Sequence, residues 1–249
     1  MLSRITWPEV HLSEVLEKIS ETKADRICIQ AVKNNQASTE VFGVLNQIKS
    51  VTDVPVSISM SIETEGDVKK LFDAGADIVS IALDCASEKL SSSIKSISFP
   101  ETKELILKLS TRYPKKITTH LIAGLGETDK ELIELSKELV AGNVNVSLFA
   151  FTPIPGTKLQ NQSQPSVERY RKLQVAMATL RKNTKHIFEF DENDMLISVK
   201  SFASEAVPAD FQTPGCTGCN RPYYNERPGG EIYNYPNPPD IEEVLKEIK

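Results

Sequence analysis

The chain has 249 residues, 40% of them hydrophobic and 25% charged, with a net charge of −5. That is enough chain for a full core, and too acidic a balance for nucleic acid to be the main partner. No apolar run approaches the roughly 20 residues that span a bilayer, and residues 1–8 lack the apolar stretch of a signal peptide. The expectation is a cytoplasmic protein with no membrane partner. In that setting the four cysteines, Cys28, Cys85, Cys216 and Cys219, do not read as a disulfide framework.

Apolar residues at Val10, Leu12, Val15, Leu16 and Ile19 predict a helix over 8–20, with Pro8 at its start. Residues 26–32 are a short β-branched run, hence a strand. Ser38 is the expected cap of a helix through Val41, Val44, Leu45 and Ile48. A strand over 54–60, a helix over 65–74 ended by Gly75 and a strand over 77–83 follow. A helix over 101–113, a strand over 117–123, a helix over 128–141 and a strand over 144–151 continue the alternation. A long helix over 166–182 leads to a hairpin of 187–190 with 195–199.

Strand–helix–strand alternation with almost continuously apolar strands means a parallel sheet covered by helices. A complete or partial βα barrel and an open doubly wound sheet both fit that pattern. After residue 202 the character changes, with seven prolines, Gly229-Gly230 and four tyrosines before a short helix over 240–248. The division is therefore 1–202 as the βα body and 203–249 as an irregular, aromatic-rich extension packed against it.

Three segments carry chemistry. His120-Leu-Ile-Ala-Gly-Leu-Gly-Glu-Thr128 runs from a strand into a glycine turn and a helix cap. Glycines there let backbone approach a ligand, and ligands of parallel α/β folds sit at the carboxyl ends of strands. Phe151-Thr-Pro-Ile-Pro-Gly-Thr157 follows the next strand. Cys216-Thr-Gly-Cys219 holds two thiols at metal-ligand spacing, and the remaining ligands have to come from elsewhere. Gln30, Ser59, Ser61 and Asp84 end strands and face the same rim. Cys28 and His120 read as core residues, Cys85 as a structural thiol, and His11 and His186, for which the sequence gives no functional signal, as surface or core.

Together these pieces resemble radical S-adenosylmethionine (SAM) proteins of the biotin-synthase and lipoyl-synthase group. His-Leu-Ile-Ala-Gly-Leu-Gly-Glu-Thr at 120–128 resembles the group's fifth-strand segment, and Phe-Thr-Pro-Ile-Pro-Gly-Thr at 151–157 its next strand. Arg-Ile-Cys-Ile-Gln-Ala-Val at 26–32 is similar to its second strand, and Ser-Ile-Ala-Leu-Asp-Cys-Ala-Ser-Glu at 80–88 to its fourth. The ending Cys-Thr-Gly-Cys-Asn-Arg-Pro-Tyr-Tyr-Asn-Glu-Arg-Pro-Gly-Gly at 216–230 resembles that of archaeal two-subunit lipoyl synthases.

The resemblance implies a partial (β/α) TIM-like barrel of the radical SAM type. Its first strand is missing, because the chain starts at the helix that in the family follows the Cys-x-x-x-Cys-x-x-Cys loop. That loop is absent, and with it the ligands of a [4Fe–4S] cluster. The resemblance further implies SAM as cofactor, held near Gln30, Asp84, Ile122, Gly124, Gly126 and Glu127. It implies an auxiliary iron–sulfur cluster or other metal at Cys216 and Cys219. The implied reaction is sulfur insertion into unactivated C–H bonds, of an octanoyl chain on a lipoyl-carrier protein or of a small molecule, with a second radical SAM subunit as a partner. This chain alone is expected not to cleave SAM; no residue is assigned as catalytic. A clusterless SAM- or carrier-binding subunit is the alternative. An unrelated βα-barrel lyase would place a Schiff-base lysine or metal carboxylates at the strand ends, where the sequence shows Gln30, Ser59, Asp84 and Gly124.

Overall fold

The computed structural model describes residues 8–21, 23–34, 36–95, 97–183, 186–200, 206–216, 219 and 229–248, without the side chains of Ser20 and Ser38. Residues 217–218 and 220–228, the middle of the cysteine-bearing segment, lie outside the described residues, as does Trp7.

Five strands form one parallel sheet: β1 (Ile27–Gln30), β2 (Val56–Ser59), β3 (Ile78–Ser80), β4 (Ile117–Ala123) and β5 (Asn145–Ala150). Their spatial order is the chain order. Cys28 stands opposite Ser57, Ser57 opposite Ile78, Ser80 opposite Thr118 and His120 opposite Ser147. A doubly wound sheet reverses direction at a switch point. Here every step goes the same way, and right-handed crossovers then put every connecting helix on one face. The doubly wound alternative is thereby replaced by a barrel-type α/β arrangement. Among the described residues the sheet is open, with β1 and β5 at its edges.

Helix α1 (Leu12–Glu21) precedes β1, helices α2 (Ala37–Val51), α3 (Glu65–Asp73), α4 (Glu88–Ile94), α5 (Phe99–Arg112) and α6 (Asp129–Ala141) fill the connections, and α7 (Val167–Lys182) follows β5. Thr64 and Thr128 start α3 and α6 with capping boxes to Asp67 and Glu131, each satisfying amide groups the helix leaves open. The cap expected of Ser38 does not start α2. Asn34 Oδ1 accepts from the amides of Gln36 and Ala37 instead. Helix α4, with three serines in seven residues, has no strong apolar period and was not predicted.

Side-chain alternation divides the strands. Val56, Ile58, Val79, Ile117, Leu121, Val146 and Leu148 pack on Leu45, Leu71, Leu109, Leu132 and Leu173 of the helices. Each fully buried aliphatic contributes about 1.5–3 kcal/mol. The opposite face carries polar groups: Gln30, Ser57, Ser59, His120 and Ser147. Cys28, predicted as core, lies on that inner face of an edge strand and is exposed.

A hairpin of β6 (Ile187–Phe190) and β7 (Leu196–Lys200) follows α7. The extension then returns through a short 3-10 helix at Pro208–Phe211 and ends in α8 (Ile241–Lys246). It crosses the inner face of the sheet. Asn145 Nδ2 donates to the Gly215 carbonyl at 2.8 Å, Ser147 Oγ donates to the Pro214 carbonyl, and Ser57 Oγ donates to Cys216 Sγ at 3.1 Å. These contacts lie toward the amino ends of β2 and β5. Gly215 has a φ of +143°, and a Cβ there would meet Ser147 Oγ at 2.6 Å, so the close crossing requires glycine.

Candidate functional site at the strand ends

A broad cavity of about 1100 Å³ opens at the carboxyl ends of β1 to β4. Gln30, Ser59, Asp84, His120 and Ile122 line its floor, and Lys95 and Ser98 stand on its rim. This is where a parallel α/β fold places ligands, since strand ends and their loops converge there.

The floor is organised around Asp84. Its backbone has a φ of +64°, in the left-handed region that Asp tolerates better than most residues. It is fixed by pairing with β4: the Asp84 amide donates to the His120 carbonyl at 2.9 Å, and the Ile122 amide donates to the Asp84 carbonyl at 2.8 Å. The carboxylate thereby enters the cavity between two donors. His120 Nε2 lies 2.8 Å from Oδ1, and Lys95 Nζ lies 2.6 Å from Oδ2. Lys95 also donates to the Ala82 carbonyl at 2.8 Å, so its head is fixed at the end of α4. Phe149 meets the His120 ring edge-on at 5.7 Å between centroids.

Burial alone would raise the pKa of Asp84. The hydrogen bond and charge of His120, with Lys95, outweigh that and hold the carboxyl well below the usual carboxylate range. A depressed folded-state pKa stabilises the fold above the unfolded value of about 3.9, and this is lost as pH falls below it. Asp84→Asn should therefore lower the urea midpoint at neutral pH, and the two proteins should converge as pH drops below about 4. A difference that stays constant down to acid pH would remove Asp84 from this role. Beside it, burial and then the Asp84 charge push the Cys85 thiol up to about 11, which suits the inert structural thiol expected there.

The glycine turn after β4 is built from Glu127. Its carboxylate is fully enclosed and accepts from the amides of Gly124 at 2.7 Å, Leu125 at 2.9 Å and Gly126 at 3.1 Å. Arg169 Nη2 closes the cluster at 2.8 Å and its Nε reaches Asp129 at 2.7 Å. Gly124 has a φ of +100°, and a Cβ there would come within 2.8 Å of Pro165 Cδ.

Of the residues singled out by sequence, Gln30, Asp84 and Ile122 meet in the cavity. Gly124, Gly126 and Glu127 form the adjoining turn, with the Glu127 carboxylate directed inward to its own amides. Cys216 lies toward the other end of the strands, against Ser57. The Cys219 amide donates to the Cys216 carbonyl at 3.2 Å, which holds the two cysteines near each other. Among the described residues no three His, Cys, Asp or Glu side chains converge as a metal site. His120, read as a core histidine, is instead bonded to Asp84 in the cavity floor. Lys95 was missed altogether: it follows a helix that has no clear apolar period and acts 11 residues back along the chain.

No family model matches the chain. It is 30% identical over 170 residues to a biotin synthase from Persephonella marina, covering 67% of this chain and 50% of the relative. The chain spans about half the length of the curated relatives it matches. In fold it is similar to HydG, a maturase of the [FeFe]-hydrogenase, with a TM-score of 0.59 at 13% identity over 73% of this chain and 45% of that one. It is also similar to hydroxymethylglutaryl-CoA lyase from Pseudomonas aeruginosa, with a TM-score of 0.51 at 14% identity over 75% and 64%. One fold thus serves different chemistries, and the sequence match is to the biotin synthases. Barrel-type sheet, strand-end cavity and sequence agree on a relationship of this chain to the radical SAM, biotin-synthase-like group.

Proposed function

We propose that this chain serves sulfur insertion into unactivated C–H bonds, of the biotin- and lipoyl-synthase type, with an octanoyl chain on a carrier protein as the favoured substrate. The observation that carries this reading is the cavity at the strand ends, floored by Gln30, Asp84, His120 and Ile122, in a chain with biotin synthase relatives. SAM would lie in that cavity, with its adenosine toward Ile122 and the Gly124–Gly126 turn. A ligand of this size needs a few convergent polar groups in a mainly apolar pocket, and Asp84, held ionised and fixed on two sides, is such a group.

A [4Fe–4S] cluster of the SAM-cleaving kind does not fit the residues present. None of the four cysteines stands in a Cys-x-x-x-Cys-x-x-Cys spacing, and no described set of three ligands converges. Cys216 and Cys219, held near each other, suit two ligand positions of an auxiliary cluster or another metal. Two closely spaced cysteines outside any disulfide also suit a reducing, cytoplasmic setting.

The chain alone is expected to bind SAM and to release no 5′-deoxyadenosine when incubated anaerobically with SAM and a strong reductant. Formation of 5′-deoxyadenosine would overturn the second half of that statement, and failure to bind SAM the first. The same mismatch of ligands favours a second reading, in which the chain is the SAM- or carrier-binding partner of a second, cluster-bearing radical SAM subunit. Co-purification with such a subunit, and turnover only in the mixture, would select it.

A further inference from the structure

His120 is nine-tenths buried on the inner face of β4 and lines the cavity. Its Nε2 is committed to Asp84 Oδ1 at 2.8 Å. A neutral imidazole that donates from one nitrogen carries a lone pair on the other. The ring is held in place by Asp84 on one side and the edge-on Phe149 on another. Asp84 cannot turn away, because Lys95 holds Oδ2 at 2.6 Å while also bonding to the Ala82 carbonyl. The charges of Asp84 and Lys95 cancel, and the facing residues of β5, Ser147 and Phe149, carry none. His120 lines the cavity, so the second ring nitrogen can serve an occupant as an acceptor.

We propose that Nδ1 of His120 accepts a hydrogen bond from an uncharged donor, a hydroxyl or an exocyclic amine, of the molecule that occupies the cavity, and that Asp84 and Lys95 are the positioning residues that hold it so. Protonation of the ring converts this acceptor into a donor and abolishes the subsite.

The test has two arms. In protein labelled with ¹⁵N-histidine, three ring systems are visible, from His11, His120 and His186, and His120→Gln identifies the second. The expected signal is the Nε2–H tautomer with a slowly exchanging proton that Asp84→Ala loses. An Nδ1–H tautomer, or a signal indifferent to Asp84→Ala, overturns the proposal. The second arm measures SAM affinity by calorimetry at neutral pH and rests on SAM occupying the cavity. His120→Gln keeps a donor for Asp84 but loses the imidazole acceptor. It should weaken binding about two- to tenfold, the worth of one neutral hydrogen bond. Unchanged affinity overturns the proposal. If the parent protein binds no SAM, the proposed function fails, and the tautomer alone decides the inference.

Discussion

Glu127→Ala should destabilise the fold by about 3–5 kcal/mol, the usual cost of removing one partner from a buried charged pair. The carboxylate has no exposed surface and accepts from three consecutive amides and from Arg169. An alanine leaves the buried amides of Gly124 and Leu125 without that partner, at about 1–3 kcal/mol for each unsatisfied group, whereas the exposed Gly126 can turn to water. It also leaves Arg169, which is one-fifth exposed, with Asp129 as its remaining carboxylate. Glu127→Gln keeps the volume, but turns an amide donor toward a ring of donors, so it should recover little. Urea unfolding at neutral pH measures both variants. A loss below about 1 kcal/mol for the alanine would mean that the turn satisfies its amides in another way.

This residue also shows where sequence reading stops. Strand–helix alternation and the Thr128 cap are local signals, and the structure has both. The glycine turn is visible in the same way. Glu127, however, is expected near a ligand on the strength of the resemblance, and its carboxylate is spent on its own turn and on Arg169, 42 residues later. No local pattern announces that pairing. His120 was legible in principle. Leu121 and Ala123 face the helix-side core, so the period of two puts His120 and Ile122 on the other face, with the cavity. The edge position of β1, which exposes Cys28, depends on strand order and not on the composition of the strand. Lys95 combines both difficulties, a weakly patterned helix and a partner on a strand end.

Arg171→Leu should cost about 2–5 kcal/mol and free the extension from the barrel before the barrel unfolds. Arg171 is completely buried on α7, yet it belongs to the extension's anchorage. It bonds to the carbonyls of Ile232 and Tyr233, to Gln174 Oε1 at 2.7 Å and to Glu247 at 2.7 Å, and it lies over the ring of Tyr235 at 4.9 Å. Leucine removes the buried charge but also the donors. Glu247 is 39% exposed and can turn to water, whereas the buried Gln174 Oε1 and Tyr233 carbonyl lose a donor that packing does not replace. The effect should travel. Tyr233 Oη donates to the Pro165 carbonyl at 2.8 Å, and Pro165 is the residue against which Gly124 closes its turn. Residues 229–248 should therefore become accessible to protease and to hydrogen exchange first, followed by the amides of 124–126. Lys246→Ala, at an exposed pair with Glu243, should leave both unchanged. If exchange at 124–126 stays at the parent level while the extension is released, the glycine turn is held by Glu127 and Arg169 alone, and the cavity does not depend on the extension for its shape.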